Sequence, residues 1–121
     1  ASENVVVDRA DGRVDITLNR PGKSNALTGE MFLRIGEIFD ELSEEDVSVV
    51  TVRGASGTFS AGVDMSGVPE WGEMAPLEVR DLLEPIHEAI RAIESLDAPV
   101  VAALEGNVLG GGLELAVACD I

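Results

Sequence analysis

Pro99-Val100-Val101-Ala102-Ala103-Leu104 is followed by Glu105-Gly106-Asn107-Val108-Leu109-Gly110-Gly111-Gly112 and then by Leu113-Glu114-Leu115-Ala116-Val117-Ala118. The first run is short, apolar and bounded by a proline, which describes a strand. The second punctuates it with glycines, and the third is a helix of small and aliphatic residues. The same order stands upstream. Val47, Val49, Val50 and Val52 make a β-branched strand that ends at Gly54, and the stretch from Ala55 to Gly67 is rich in Gly, Ser and Ala, a loop of close backbone approaches. After Pro76, the residues Leu77, Leu82, Leu83, Ile86, Ile90 and Ile93 mark a long helix, which Pro85 is expected to kink or divide.

Further out, Val5 and Val7, then Val14, Ile16 and Leu18, alternate with polar neighbours around Asp11-Gly12. This predicts a hairpin with one buried face. Asn19-Arg20-Pro21-Gly22 breaks the alternation. Thr28 then caps a run in which Met31, Phe32, Ile35, Ile38, Phe39 and Leu42 recur at three and four residues, an amphipathic helix over 28–43. The stretch from Gly67 to Ala75, with Pro69, Trp71 and Gly72, has no period and is expected to be mobile. The order strand, strand, helix, strand, helix, strand, helix argues for an α/β fold. No low-complexity linker or sequence repeat divides the chain.

With 121 residues and 45% of them apolar, the chain can bury a core. The single cysteine, Cys119, forms no internal disulfide and fits a reduced, buried structural thiol. No run approaches the ~20 apolar residues that span a bilayer, and Ala1-Ser2-Glu3-Asn4 lacks the features of a secretory signal, so a cytoplasmic location is expected. Acidic residues number 23 against 8 basic ones, for a net charge of -15. That charge disfavours nucleic acid and anionic membrane as partners. Lys23 is the only lysine. A surface this acidic is read two ways: a high-salt source, where ions screen the self-repulsion, or an ordinary acidic protein.

The two glycine-rich turns, Phe59-Ser60-Ala61-Gly62-Val63-Asp64 and Leu109-Gly110-Gly111-Gly112-Leu113-Glu114, each follow an apolar strand. Glycines bring backbone N–H groups close to a guest, and a helix starting at Gly111 adds unpaired donors and a positive dipole end. Two nucleotide motifs fail here. A P-loop needs Lys followed by Ser or Thr where Leu113 and Glu114 stand, and a dinucleotide fingerprint from Gly110 puts Leu115 at its third glycine. A developing oxyanion suits the turns better, because two convergent donors suffice and a nearby carboxylate can move protons. Glu114, three residues past Gly111 and placed on the first turn of the helix, is that carboxylate or an acid merely favoured near a helix N-terminus.

Four motifs in register now bear on the choice: Ile16-Thr17-Leu18-Asn19-Arg20-Pro21 leading to Asn25-Ala26-Leu27; Phe59-Ser60-Ala61-Gly62-Val63-Asp64-Met65; Pro99-Val100-Val101-Ala102-Ala103 with Gly106; and Gly110-Gly111-Gly112-Leu113-Glu114-Leu115-Ala116 with Cys119-Asp120. In order and spacing they resemble the enoyl-CoA hydratase/isomerase (crotonase) superfamily over nearly the whole chain. The resemblance implies a crotonase-like spiral of repeated ββα units. It also implies a thioester oxygen held by the backbone N–H groups of Val63 and Gly111, with Glu114 as acid/base. A second glutamate further along the family's chain shares the proton transfers.

By the same resemblance Lys23, Ser24, Ala26, Ala61, Gly62, Val63, Asp64, Met65, Gly110 and Gly111 contribute to the coenzyme A pocket. Lys23 is a phosphate contact or a solvated loop lysine, and Asp64 fixes its own turn through local hydrogen bonds. Trp71 packs the segment after Met65 against the acyl pocket, and His87 is a surface or packing residue. The implied activity is hydration of a 2-enoyl-CoA. Double-bond isomerisation is the nearest alternative, and a non-catalytic acyl-CoA-binding module the more distant one. The coenzyme A thioester is substrate, and neither cofactor nor metal is implied. Members of the family run well beyond this length, so the expected partner is a second copy, in a trimer or hexamer, or a complementing C-terminal chain.

Overall fold

The computed structural model describes residues 3–66 and 71–121. The expectations for residues 67–70 and for the Trp71 side chain lie outside the described residues. The chain folds as an α/β spiral of the expected kind. Strand β1 (Val5–Ala10) turns through Asp11 and Gly12 into β2 (Arg13–Leu18), and Ala10 pairs with Arg13 across the turn. Asp11 and Gly12 both have positive φ, 51° and 82°, as the two-residue loop that matches strand twist demands. A short 3-10 turn, Pro21–Lys23, precedes helix α1 (Gly29–Leu42). Then come β3 (Val49–Gly54), a 3-10 turn at Ala55–Gly57, another at Trp71–Glu73, helix α2 (Pro76–Ser95), β4 (Val100–Ala103) and helix α3 (Gly110–Ala118).

The strands form one sheet in the order β1-β2-β3-β4. β1 and β2 run antiparallel, while β2 with β3 and β3 with β4 run parallel, aligning Val14 with Val50 and Val50 with Val100. Parallel neighbours require crossovers, and α1 and α2 supply them. Val14, Ile16, Leu18, Val50, Val52 and Val100 share one core with Met31, Phe32, Ile35, Ile38, Phe39 and Leu42 of α1 and with Ile86, Ala89 and Ile93 of α2. The apolar stripe expected of α1 is the one it buries, and Thr28 caps the helix by accepting a hydrogen bond from Met31 N at 3.1 Å. Gly36 of α1 faces Ala89 of α2 at the contact between the two helices.

Each parallel strand is followed by a loop that adds one rung to a second, shorter ladder before its helix begins. Leu27 bridges Val63, and Ser60 bridges Val108, both in parallel. Strand, bridge and helix thus recur three times as a repeat in structure without a counterpart in sequence, since backbone groups alone define the bridges.

Three expectations are corrected. Pro85 does not divide α2, which is one element from Pro76 to Ser95. A proline interrupts one turn of hydrogen bonding, and the helix continues past it with Ile86, Ala89 and Ile93 buried on the core side. β3 begins at Val49 rather than Val47, whose side chain packs against the core from the preceding turn. Helix α3 begins at Gly110, one residue before Gly111, which places Glu114 beyond its first turn.

Candidate active site

The loop between β2 and α1, the loop after β3 and the loop after β4 lie side by side, and three polar residues knit the first two together. Asn25, fully buried and with φ of 55°, accepts from Arg20 N at 2.8 Å and donates through Nδ2 to Ala55 O at 2.9 Å and Thr58 O at 2.6 Å. Ser60, also fully buried, donates to Asn25 O at 2.8 Å and accepts from Gly62 N at 3.1 Å. Arg20 donates through one terminal nitrogen to Ala26 O at 2.8 Å and to an Asp64 carboxylate oxygen at 3.0 Å. Nothing in the sequence marks this task for any of the three residues. Their partners lie up to 44 positions away, a relation that no periodicity marks.

Backbone bonds complete the frame. Ala61 N donates to Ser24 O at 3.0 Å, Leu27 N to Gly62 O at 2.8 Å and Asp64 N to Leu27 O at 2.8 Å. Ser60 N donates to Asn107 O at 2.9 Å and Leu109 N to Ser60 O at 3.1 Å. In this run Ala61, Gly62 and Asp64 each spend their N–H within the frame. The Val63 N–H has no acceptor among the described residues, and neither has that of Gly111, whereas Gly112 N donates to Leu109 O at 2.8 Å. Unpartnered donors at a helix start are ordinary. At Val63 the bridge to Leu27 is made by Gly62 and Asp64, which leaves the Val63 N–H on the opposite side of the strand.

Those two amides stand on loops packed against each other. A Cβ on Gly111 would lie 3.5 Å from Val63 N and 2.7 Å from Val63 Cγ2, so only glycine permits the approach. Gly62, at φ of 109°, would set a Cβ 3.1 Å from Leu109 O. These two glycines are the close approaches expected of the two turns, and each faces the opposite loop.

Val63 and Asp64 line a hollow of about 190 Å³ together with Thr28, Phe32, Ser66 and Ile86. Lys23, Ser24, Met65 and Gly110 are exposed, and Ala26 and Ala61 are half-buried. Glu114 is exposed and opens onto a different hollow of about 350 Å³, bounded by Ile90, Glu94, Leu113, Val117 and Ala118. The structure therefore brings Val63 and Gly111 together and sets Glu114 one helical turn further along α3, outside the hollow that Val63 lines. As the fifth residue of α3, Glu114 is also outside the first turn, where a helix dipole favours an acid.

Asp64 fastens its own turn by accepting from Ser66 N at 2.9 Å. The Ser66 hydrogen bonding, followed by the Arg20 guanidinium, holds its carboxyl down at about 2. Cys119 is half-buried and donates to Leu115 O at 3.3 Å, and desolvation with the nearby Asp120 charge pushes its thiol up to about 11. It is a structural thiol. His87 is exposed on α2. Among the described residues no cluster of His, Cys, Asp or Glu could hold a metal ion, and no helix is long and apolar enough to cross a membrane.

The enoyl-CoA hydratase/isomerase family model matches residues 8–121. A probable mitochondrial enoyl-CoA hydratase 2 of Arabidopsis thaliana is 36% identical over 112 residues, covering 91% of this chain and 36% of that protein. The human mitochondrial Delta(3,5)-Delta(2,4)-dienoyl-CoA isomerase is 33% identical over 115 residues, covering 88% of this chain and 35% of that one. An enoyl-CoA hydratase structure from Mycobacterium smegmatis superposes with a TM-score of 0.91 at 31% identity, over 99% of this chain and 47% of that chain. The chain thus spans little more than a third of these curated relatives and about half of the solved one.

Proposed function

This chain belongs to the enoyl-CoA hydratase/isomerase family, and we propose that it carries the thioester-activating part of a hydratase that adds water to a 2-enoyl-CoA. The observation that carries the proposal is the pair of unspent N–H donors, Val63 and Gly111, on two glycine loops packed so closely that a side chain on Gly111 would press on Val63. In this reading the thioester oxygen takes both hydrogen bonds. Addition of water at the β-carbon pushes electrons toward that oxygen, and preorganised amides favour the resulting enolate more than the ground state. Lys23, Ser24, Ala26, Ala61, Met65 and Gly110, exposed or half-exposed, are the proposed coenzyme A contacts.

Glu114 is the proposed acid/base. Its reach to the substrate is through the second hollow, which the acyl end of the thioester would enter. Relatives of similar identity named as a hydratase and as a dienoyl-CoA isomerase mean that family membership alone does not choose the reaction. We infer hydration from the glutamate on α3, a carboxylate able to pass protons to and from water. The exposed Leu113 and Val117 beside it also support association, with a second copy or a complementing chain.

The test is hydration of crotonyl-CoA, followed by loss of the enoyl absorbance, on the longest natural polypeptide that carries this sequence. Glu114→Gln should lower turnover by about 10²-fold or more, the usual range for a general acid/base. Acyl-CoA binding without hydration by the unsubstituted protein would overturn the hydratase reading and favour isomerisation or a binding role.

A further inference from the structure

The geometry points to Arg20 and Asp64 as a positioning pair that aims the Val63 N–H. This inference rests on the oxyanion role proposed for Val63. The two side chains meet at 3.0 Å with only 18% and 17% of their surfaces exposed, the least exposed ion pair among the described residues. The other pairs are Arg9 with Glu45, Arg34 with Glu37 and Glu41, and Arg91 with Glu88. In these every side chain is at least 40% exposed. Exposed pairs of that kind contribute little to stability. The Arg20–Asp64 pair differs in what its two ends hold.

Asp64 directly follows Val63, and its own N–H is bound to Leu27 O at 2.8 Å. Its carboxylate grips Ser66 N on one side and Arg20 on the other. The same Arg20 nitrogen reaches Ala26 O at 2.8 Å, and Ala26 adjoins Leu27. Arg20 thereby ties together the two segments whose ladder rung, Leu27 with Val63, fixes the plane of the Val63 peptide. Upstream of Val63, Gly62 is held by Ser60 and Leu27. Downstream of it, Arg20 and Ser66 are the side-chain and backbone restraints on Asp64. Without Arg20, only the Asp64 N–Leu27 O bond joins the downstream side to the β2–α1 loop, and the peptide that presents the Val63 N–H is freer to tilt. A tilted donor still lets coenzyme A bind but meets the developing oxyanion poorly, so the loss falls on turnover.

The experiment compares kcat and KM for crotonyl-CoA in four variants of the longest natural polypeptide: Arg20→Met, Arg20→Lys, Asp64→Asn and Arg9→Met. Circular dichroism and thermal unfolding verify that each is folded. Arg20→Met is expected to lower kcat by about tenfold to a hundredfold, the scale of a misaligned donor, with KM changed by less than about threefold. Arg20→Lys, whose ammonium has donors enough for both oxygens, should recover most of the loss, and Arg9→Met should change neither constant. Unchanged kcat in folded Arg20→Met and Asp64→Asn overturns the inference. If Arg20→Met does not fold, Asp64→Asn decides, because Asn retains an acceptor for Ser66 N while losing the charge; unchanged kcat there overturns the inference equally. Failure of the unsubstituted protein to turn over would instead contradict the functional reading beneath it.

Discussion

Gly112 lies against Ser60 so closely that a Cβ on the glycine would stand 2.6 Å from the serine Cβ and 3.1 Å from its carbonyl oxygen. The contact joins α3 to the loop after β3, and both partners are buried. Ser60 has no freedom to retreat, since its hydroxyl holds Asn25 O and Gly62 N.

Gly112→Ala should therefore destabilise the protein although alanine is the better helix former. Overpacking typically costs about 1–3 kcal/mol, which exceeds the ~1 kcal/mol helix-propensity gain. Urea unfolding checks it. A stability equal to or above that of the unsubstituted protein would contradict the close packing.

Asn25→Ala should cost about 2 kcal/mol or more. It strips partners from Ala55 O, Thr58 O and Arg20 N at once, and each orphaned group costs about 1–3 kcal/mol when water does not replace the bond. Alanine also lacks asparagine's tolerance for the positive φ at this position. Equilibrium unfolding of this variant beside Ser24→Ala, an exposed neighbour, separates the two effects.

The Asp64 carboxyl is held down at about 2 in the folded protein. A depressed acid adds stability that is full above its ordinary value near 4, and loses it as pH falls through the folded value near 2. The difference in stability between the unsubstituted protein and Asp64→Asn should accordingly shrink over that window. Many other carboxylates titrate there, so the difference between the two proteins is the quantity to follow.

Cys119 reverses the sign. Its thiol is raised from 9.0 to about 11, so its contribution to stability is intact below pH 9 and fades as pH rises through 11. Alkylation by iodoacetamide should be slow in the folded protein at pH 8 and fast in urea, because the thiolate is the nucleophile. Equal rates would mean the thiol is not desolvated.

How much of this was legible beforehand depends on the kind of signal. The Asp11-Gly12 hairpin, the buried stripe of α1 and the two close-approach glycines, Gly62 and Gly111, follow from local rules of period and φ. Pro85 does not end α2, because its helix-breaking tendency is local whereas the burial of Ile86, Ala89 and Ile93 beyond it is tertiary. Arg20, Asn25 and Ser60 carried no signal of their task. Their bonds cross between loops remote in sequence, and a polar residue in a glycine-rich loop reads the same whether it organises the loop or faces water. Helix α3 is apolar on nearly every side, so its sequence could not say that Gly111, Gly112 and Leu115 face inward while Leu113 and Val117 stay exposed.

The central claim is that the Val63 and Gly111 amides polarise a thioester carbonyl, and an isotope-edited infrared spectrum tests it most directly. With crotonyl-CoA labelled at the thioester carbon and bound to the longest natural polypeptide that carries this sequence, the carbonyl stretch should move to lower frequency than in water. Gly111→Ala, whose methyl group would press on Val63, should shrink that shift. A bound thioester whose carbonyl stretch matches that of the free compound would contradict the account.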